Sequence, residues 1–382
     1  MQRIRRRSCN EAGAEISRDR SQSARRIQEA ACSTESWILK FPGGAFTRVA
    51  SLAPVINIHT FQGIVKSLHR FFLCFALFVT LTSGIRSAAG AKAYIIVDAT
   101  TGAILDAEEP AQKRQIGSLT KIATAMVVLD WAEHRGGDLN QIATIPSEAF
   151  VGVTENNIGF QPGDRINLRD LLYAALVQSD NIAAYTLANH VGATLESLIP
   201  AASSSKITPV IAFVSQMNAL AKQLKMDRTR FVNPHGSDYK VKPLPFSTAQ
   251  DMARLTRYAM TKAGFRFYVS QKERLISFER GGRVLRYMTR NTNQLIGTHG
   301  IDGVKTGQTA RAGDCLILSA TREPEVNKID EDHATVFQRR IIVVLLGSTD
   351  RFGEGAGLVE KGWQLYDQWA ATGRMVDPNK VL

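Results

Sequence analysis

The chain has 382 residues, more than a usual single domain, and 44% of them are hydrophobic. That fraction is enough to bury a sizeable core, so the chain is not wholly disordered. The formal net charge is +12, but most of the excess lies in the first 70 residues. Because the rest is close to neutral, its composition gives no support for nucleic-acid binding.

The N-terminal part has the features of an export signal. Residues 71–82 form an apolar run that follows basic residues and precedes a series of small residues. This order predicts a secretory signal peptide over 66–91, cleaved after Ala89 or Ala91, and hence a periplasmic or cell-envelope location. The alternative is an uncleaved N-terminal membrane anchor, although a spanning helix needs about 20 apolar residues.

Residues 1–65 are basic and lack apolar periodicity, which is typical of a disordered extension. Either this extension is authentic, or translation starts downstream, near Val65 or Leu68. We therefore predict an extension over 1–65, a signal peptide over 66–91 and one folded domain over 92–382.

Within that domain, strand-like segments occur at both ends and helical segments fill the middle. Residues 93–99 begin a predicted hairpin, 315–321 and 340–348 are predicted late strands, and the charged stretch 322–333 is their predicted tip. Helical periodicity predicts helices over residues 118–134, 168–178, 181–191, 209–226, 247–264 and 357–371. This order favours an α+β fold, in which an antiparallel sheet of early and late strands packs with helices beside a helical sub-domain.

Three short motifs occur in order along the domain. Residues 118–121 read Ser-Leu-Thr-Lys, residues 179–181 read Ser-Asp-Asn, and residues 305–307 read Lys-Thr-Gly. Each is common alone, because a helix-start serine, a capped turn or a hairpin turn accounts for it. Together, in this order and at this separation, they indicate acyl transfer to a serine.

The residue types suit such chemistry. Ser118 is predicted at a helix start, where free N–H groups favour a developing oxyanion. Lys121 lies one turn later on the same face. An amine that loses its proton through burial near a second cation, Lys305, can activate the hydroxyl. Ser179 can relay a proton to a leaving amine, and Asn181 can bind a substrate amide.

The third motif is predicted to hold the substrate. Lys305 and Thr306 offer a cation and a hydroxyl to a carboxylate, and Gly307 leaves room for substrate against a strand edge. His235, by contrast, is predicted to bond only to its local backbone, and Cys315 to be a small buried hydrophobe.

These motifs make the chain resemble the D-alanyl-D-alanine carboxypeptidases, the low-molecular-weight penicillin-binding proteins. The resemblance covers about 92–372, and it also rests on FVNPHG (231–236), STAQDMARL (247–255) and GVKTGQTARAGDCLI (303–317). It implies a β-lactamase/DD-peptidase-like fold with Ser118 as nucleophile and Lys121 as base.

The resemblance also implies roles for the other motifs. Ser179 and Asn181 would line the wall opposite the nucleophile, and the backbone N–H groups of Ser118 and Gln308 would form an oxyanion hole. Arg351, which follows the last predicted strand, would bind a substrate carboxylate. The implied substrate-binding residues are Lys305, Thr306, Gly307, Gln308 and Arg351.

The implied function is a serine-type D-Ala-D-Ala carboxypeptidase that acts on peptidoglycan stem peptides through a Ser118 acyl-enzyme and binds β-lactam antibiotics. The alternatives are a DD-endopeptidase of cross-links, a class A-like β-lactamase and a non-catalytic cell-wall binder. Asp180 matches class A β-lactamases, but no Glu in an E-x-x-L-N context lies between Asn181 and Lys305 to activate a deacylating water. A non-catalytic binder would be expected to lose the motif Ser or Lys.

No metal or cofactor is expected. Cys315 is the only cysteine beyond residue 91, and the histidines show no HExxH-like spacing. The expected partners are stem peptides and β-lactams, without nucleic acid, and with a membrane only through an uncleaved signal segment.

Overall fold

The computed structural model describes residues 90–153, 155–196, 207–330 and 333–382. The predicted extension over 1–65 and nearly all of the predicted signal peptide lie outside the described residues. In the part of the chain that is described, no helix is both long and apolar enough to cross a membrane.

Five antiparallel strands form the central sheet. They are β1 (Ala93–Asp98), β2 (Ile104–Glu108), β7 (Ile301–Thr309), β8 (Gly313–Lys328) and β9 (Ala334–Ser348). Their order across the sheet is β2-β1-β9-β8-β7, so β1 pairs with β9 and β7 lies at one edge. The predicted pairing of early with late strands is confirmed, and the third motif lies on the edge strand.

Both faces of this sheet are buried. In β9, Ile342 and Val344 belong to one apolar cluster, whereas Ile341 and Val343 belong to a second one on the other face. Successive side chains of a strand point to opposite faces. A strand that is covered on both sides therefore reads as a continuous apolar run, as residues 340–348 do.

The described residues form seven α-helices: α1 (Lys121–Arg135), α2 (Leu168–Leu176), α3 (Asn181–Glu196), α4 (Pro209–Gln223), α5 (Ala249–Thr261), α6 (Ala263–Val269) and α7 (Arg351–Ala371). Helix α5 begins where the Thr248 hydroxyl accepts a hydrogen bond from the N–H of Asp251, which is a standard N-cap. Helix α7 covers one face of the sheet with Trp363 and Tyr366. Helices α2, α3 and α4 pack on one another as the helical sub-domain.

The sequence patterns missed a second antiparallel sheet. Its strands, in spatial order, are β3 (Ile142–Thr144), β4 (Arg165–Asn167), β5 (Glu273–Arg280) and β6 (Arg283–Arg290). Two of them are only three residues long, and charged residues interrupt the apolar alternation of the other two. The Gly281-Gly282 turn, with positive φ at both residues, is the hairpin signal that marks β5 and β6.

Two predicted boundaries are wrong. The stretch 322–333 is mostly strand and not a tip, because cross-strand partners such as Val326 and Val336 continue the ladder. The last helix starts at Arg351 and not at Gly357, because the Asp350 carboxylate accepts a hydrogen bond from a free N–H of its first turn.

Candidate active site

The first motif forms a 3-10 turn that precedes α1. This turn spans Gly117–Thr120, and α1 starts at Lys121 without a side-chain cap. The expectation that Ser118 starts the helix is therefore wrong by about one turn. The Ser118 hydroxyl oxygen accepts a hydrogen bond from Lys121 Nζ at 2.8 Å, as the spacing of the motif led us to expect.

Lys121 is fully buried, and oxygen acceptors surround its amine. Nζ lies 2.8 Å from Ser118 Oγ, 2.6 Å from Asn181 Oδ1 and 3.1 Å from the His235 carbonyl oxygen. Burial lowers the pKa of Lys121 to about 7, and the negative charge of Asp180 opposes this shift. At neutral pH a large share of Lys121 is therefore the neutral amine that can take a proton from Ser118.

The sequence argument combined burial with a second cation, Lys305, and burial is the larger cause of the shift in the pKa of Lys121. Burial, together with the positive charges of Lys121 and Arg351, lowers the pKa of Lys305 well below its ordinary value. The Lys305 amine donates a hydrogen bond to the Thr306 carbonyl oxygen at 3.2 Å.

The second motif makes the tight connection between α2 and α3. Ser179 has φ +66°, a left-handed conformation that is uncommon outside glycine and is concentrated at functional sites. Asp180 Oδ1 accepts a hydrogen bond from the N–H of Ala183 at 2.7 Å, which caps α3. Burial raises the pKa of Asp180 to about 6. The cap places Asn181, the first residue of α3, against Lys121.

The third motif lies in β7 beside the Ser118 turn. Thr306 Oγ1 is 2.6 Å from Thr292 Oγ1. A Cβ atom on Gly307 would lie 2.5 Å from the Ile116 carbonyl oxygen. A glycine is therefore required because the strand packs here against the chain that precedes Ser118. The sequence argument had explained Gly307 by substrate lying on the strand edge, and the structure gives this different reason.

Two further glycines bring backbone segments into direct contact at this turn. Gly236 has φ +87°, and a Cβ there would lie 1.9 Å from the Gly117 carbonyl oxygen. A Cβ on Gly117 would lie 2.9 Å from the backbone nitrogen of Gln308. The backbones of Ser118 and Gln308 are thus held close together, which supports their proposed pairing as an oxyanion hole.

These elements surround a cleft of about 480 Å³. Of the expected site residues, those that line it are Ser118, Ser179, Asn181, Thr306, Gly307, Gln308 and Arg351. Lys121 and Lys305 are buried behind these walls. The structure therefore brings all three motifs to one place, with two lysines supporting the groups that face the cleft.

Arg351 is anchored at this cleft by contacts from β7 and β8. Its Nη1 donates to the Gly307 carbonyl oxygen at 3.2 Å and lies 3.4 Å from Asp314 Oδ1. The side chain is 18% exposed. Arg351 is therefore held in place at the wall of the cleft, and it is not a freely solvated loop residue.

The segment FVNPHG contributes backbone atoms and not side-chain chemistry. The His235 carbonyl accepts from Lys121, and His235 Nδ1 accepts from the N–H of Ser237 at 3.2 Å. Other cleft-lining residues were missed, and no motif marks them: Glu155, Asn157, Asp238, Tyr239 and Thr292.

One cluster outside the cleft could suggest a metal. Asp130, Glu133 and His134 place possible ligand atoms within 4.8 Å of one another. Lys262 Nζ, however, lies 3.0 Å from the Asp130 carboxylate and also pairs with Glu133. A lysine thus already pairs with both carboxylates, and the cluster carries no argument for a metal site.

A buried lysine bonded to a cleft serine, with two further motifs on the facing walls, defines the serine acyl-transfer site of a penicillin-binding protein or serine β-lactamase. The D-alanyl-D-alanine carboxypeptidase family, Peptidase_S11, matches residues 82–329. The chain belongs to this family.

Individual relatives agree with this assignment. The chain is 30% identical over 284 residues to D-alanyl-D-alanine carboxypeptidase DacC of Escherichia coli, covering 72% of this chain and 62% of that protein. It is 33% identical over 230 residues to D-alanyl-D-alanine endopeptidase of Pseudomonas aeruginosa, covering 59% of this chain and 66% of that protein. The matches thus span less than two thirds of these relatives.

A solved structure confirms the predicted fold. The crystal structure of the Streptomyces K15 DD-transpeptidase, 26% identical, matches with a TM-score of 0.60 over 72% of this chain and 98% of that one. The α+β arrangement of sheet and helices is therefore that of a DD-peptidase.

Proposed function

We propose that this protein is a serine-type D-Ala-D-Ala carboxypeptidase that acts on peptidoglycan stem peptides and is acylated by β-lactam antibiotics. The observation that carries the proposal is the 2.8 Å contact between Ser118 Oγ and the fully buried amine of Lys121. A pKa of about 7 suits that amine to act as a base at neutral pH. Membership of the family supports the substrate class.

In the acylation step, Ser118 Oγ attacks the carbonyl carbon between the two terminal D-Ala residues. The hydroxyl proton passes to Lys121 Nζ as the new C–O bond forms. The N–H groups of Ser118 and Gln308 stabilise the oxyanion. Arg351 and Thr306 hold the terminal carboxylate, which fixes the scissile bond over the nucleophile.

The leaving nitrogen then takes a proton, which Lys121 returns by way of the Ser179 hydroxyl. The C–N bond breaks, D-Ala departs, and an ester remains on Ser118. Water hydrolyses this ester with Lys121 again as base, which restores the serine hydroxyl. With a β-lactam, the leaving nitrogen stays attached to the acyl group, so deacylation is slow.

Intact-mass spectrometry with benzylpenicillin tests the proposal. A single adduct on the protein that persists for minutes, and that Ser118→Ala abolishes, is the expected result. An adduct that disappears while the antibiotic is consumed would instead indicate a β-lactamase. Folded protein without any adduct would indicate a non-catalytic binder.

Endopeptidase activity is a second candidate, and the relative from Pseudomonas aeruginosa favours it. Both activities use the same nucleophile and base, and they differ in what occupies the leaving-group side of the cleft. The ratio of kcat/KM for a cross-linked dimer to that for a monomeric pentapeptide separates them. A ratio above one would assign the protein as an endopeptidase.

We further propose that residues 66–91 direct export to the periplasm or cell envelope and that 92–382 is the catalytic domain. In support of a domain that includes Lys92, the N–H of Lys92 donates to the Leu346 carbonyl oxygen of β9 at 3.0 Å. The N–H of the preceding residue, Ala91, donates to the Glu354 carboxylate of α7 at 2.7 Å. N-terminal sequencing of the mature protein tests this, since a retained segment would indicate an anchor.

A further inference from the structure

A second cavity, of about 800 Å³, shares no described lining residue with the catalytic cleft. Its walls come from α5, α6, the chain that follows α4, the first half of β9, the turn between β1 and β2, and the C-terminal residue. Helix α5 contributes five lining residues, of which four lie on one helical face, at i, i+3, i+4 and i+7. These four are Arg254, Arg257, Tyr258 and Thr261.

The lining of this cavity, which we call the basic cavity, is strongly cationic. Its cations are Lys225, Arg254, Arg257, Arg266 and Arg340, and none of its described lining residues is Asp or Glu. The lining also includes Leu382, the last residue of the sequence, whose terminal carboxylate is the one anionic group among these residues. Arg254 pairs with Asp251 at 3.1 Å and Arg340 with Asp302 at 2.8 Å, from outside the lining. Within the described residues, Lys225, Arg257 and Arg266 form no direct ion pair, but the negative charge of Asp98 acts on Arg257 and opposes the lowering of its pKa by burial. Of these described cations, only Lys225 and Arg266 therefore have no acidic partner.

Two of the arginines, Arg257 and Arg266, are oriented by backbone carbonyl groups. Arg257 donates from Nε to the Ala99 carbonyl at 3.0 Å and from Nη2 to the Thr100 carbonyl at 2.9 Å. Arg266 Nη1 donates to the carbonyl groups of Met260 and Thr261, at the end of α5. Such bonds fix a guanidinium group without cancelling its charge.

We propose that the basic cavity binds a small multivalent oxyanion of the phosphate class, such as a pyrophosphate or phosphate-ester group. Guanidinium groups match the geometry of phosphate oxygens, and they stay charged at any physiological pH. The two cations without an acidic partner, Lys225 and Arg266, match a ligand with more than one negative charge. The volume lies in the range of about 300–1,000 Å³ that is usual for small-ligand sites.

The basic cavity is separate from the acyl-transfer site, so ligand binding can be tested without measuring enzyme activity. Titration calorimetry and thermal unfolding of the full chain are measured with inorganic pyrophosphate, against sodium chloride at matched ionic strength. A ligand that binds only the folded state raises the melting temperature. We expect pyrophosphate to bind and to stabilise the protein beyond the salt control. Equal effects of the two salts would overturn the proposal.

Variants locate the binding. Lys225→Gln and Arg266→Gln should each weaken pyrophosphate affinity about tenfold, and Arg266→Lys should recover part of the loss. The matched control is Arg283→Gln, since Arg283 is exposed on β6 and forms no ion pair among the described residues. Affinity that falls with Arg351→Gln, and not with the cavity variants, would place pyrophosphate in the catalytic cleft and overturn the assignment.

A second arm identifies the source of the phosphate group. Co-sedimentation uses phosphatidylglycerol vesicles, with phosphatidylcholine vesicles as the control. Binding to the anionic vesicles that pyrophosphate displaces and Lys225→Gln weakens would assign a lipid headgroup. Pyrophosphate binding without vesicle binding would assign a soluble phosphate ester.

Discussion

The catalytic cleft and the basic cavity both contain cationic side chains, but they place them in opposite surroundings. Lys121 and Lys305 are 0% and 1% exposed, and burial lowers the pKa of both. In the basic cavity, Lys225 is exposed and the Arg254 side chain is 23% exposed. Desolvation thus decides whether a basic side chain is neutral and can accept a proton, or stays charged and can bind an anion.

The hydrogen-bond acceptors of the cationic side chains also differ between the cleft and the basic cavity. Lys121 meets two side-chain oxygens of the motifs, one of which belongs to the nucleophile. In the basic cavity, Arg257 and Arg266 donate to carbonyl groups that only orient them. A lysine amine that is buried against a hydroxyl can exchange a proton with it, whereas a guanidinium group does not deprotonate in proteins. The following variants test this difference.

The largest effect is expected from removing the buried amine. Lys121→Met keeps an unbranched side chain of similar length but has no base, so acylation by benzylpenicillin should slow by about 10²–10⁴-fold. Stopped-flow or quenched intact-mass measurements give the rate constant. Lys225→Met is the matched control, because it removes an amine that is exposed, and it should acylate at the wild-type rate. Equal rates for wild type and Lys121→Met would remove Lys121 as the base.

The next effect concerns the close backbone packing behind the nucleophile. A Cβ on Gly236 would overlap the Gly117 carbonyl oxygen at 1.9 Å. Gly236→Ala therefore introduces a steric clash, in addition to the cost of a positive φ at a residue with a side chain. We expect the free energy of unfolding to fall by about 3–5 kcal/mol, as measured by denaturant titration.

Gly163→Ala is the control for that experiment. Gly163 has φ +89°, almost the same as Gly236, but no atom lies within 4 Å of its hypothetical Cβ. It should therefore lose only about 1–2 kcal/mol. Similar losses in the two variants would show that backbone conformation alone, and not close packing at the cleft, sets the cost.

Much of this architecture could be predicted from sequence because it depends on local patterns. The apolar run 340–348 marks a strand buried on both faces, and the order of motifs marks the cleft. The position of Ser118 before α1 was missed, because a 3-10 turn and the first turn of an α-helix have nearly the same side-chain spacing. The role of Gly307 was misjudged, since the Ile116 carbonyl that it meets is distant in sequence.

Other features have no local signal at all. The basic cavity is assembled from the chain that follows α4, from α5, α6, β9, the first hairpin and the C-terminal residue, and only the α5 face forms a pattern that sequence can show. The pKa of Lys121 depends on how completely several elements exclude water. Sequence identifies a lysine near a serine, but the degree of burial emerges only when the three motifs meet.

Arg351 shares features with both the buried lysines of the cleft and the charged side chains of the basic cavity. It is in the cleft, but its side chain is 18% exposed, and a guanidinium group remains charged. Arg351→Gln should therefore reduce kcat/KM for a peptide with a free terminal carboxylate by about 10–100-fold. A peptide with an amidated C-terminus is the control substrate and should show little change. An equal loss for both peptides would mean that Arg351 supports β7 and does not bind the carboxylate.

The smallest effect tests how charge adjusts the buried amine. Asp180 is negatively charged above its pKa of about 6, and this charge raises the pKa of Lys121. Asp180→Asn removes the charge but keeps an oxygen that can cap α3. The pKa of Lys121 should then fall, so the pH midpoint of the acylation rate should move down from about 7 by less than about one unit.

The pKa of Asp180 also predicts the pH range in which wild type and Asp180→Asn have the same acylation rate. Well below pH 6, wild-type Asp180 is itself protonated and neutral, so wild type and Asp180→Asn should acylate at converging rates. Above that pH only the wild type carries the charge, and only there should the profiles separate. A midpoint that moves upward, or profiles that differ equally at all pH values, would show that Asp180 acts through the cap of α3 and not through its charge.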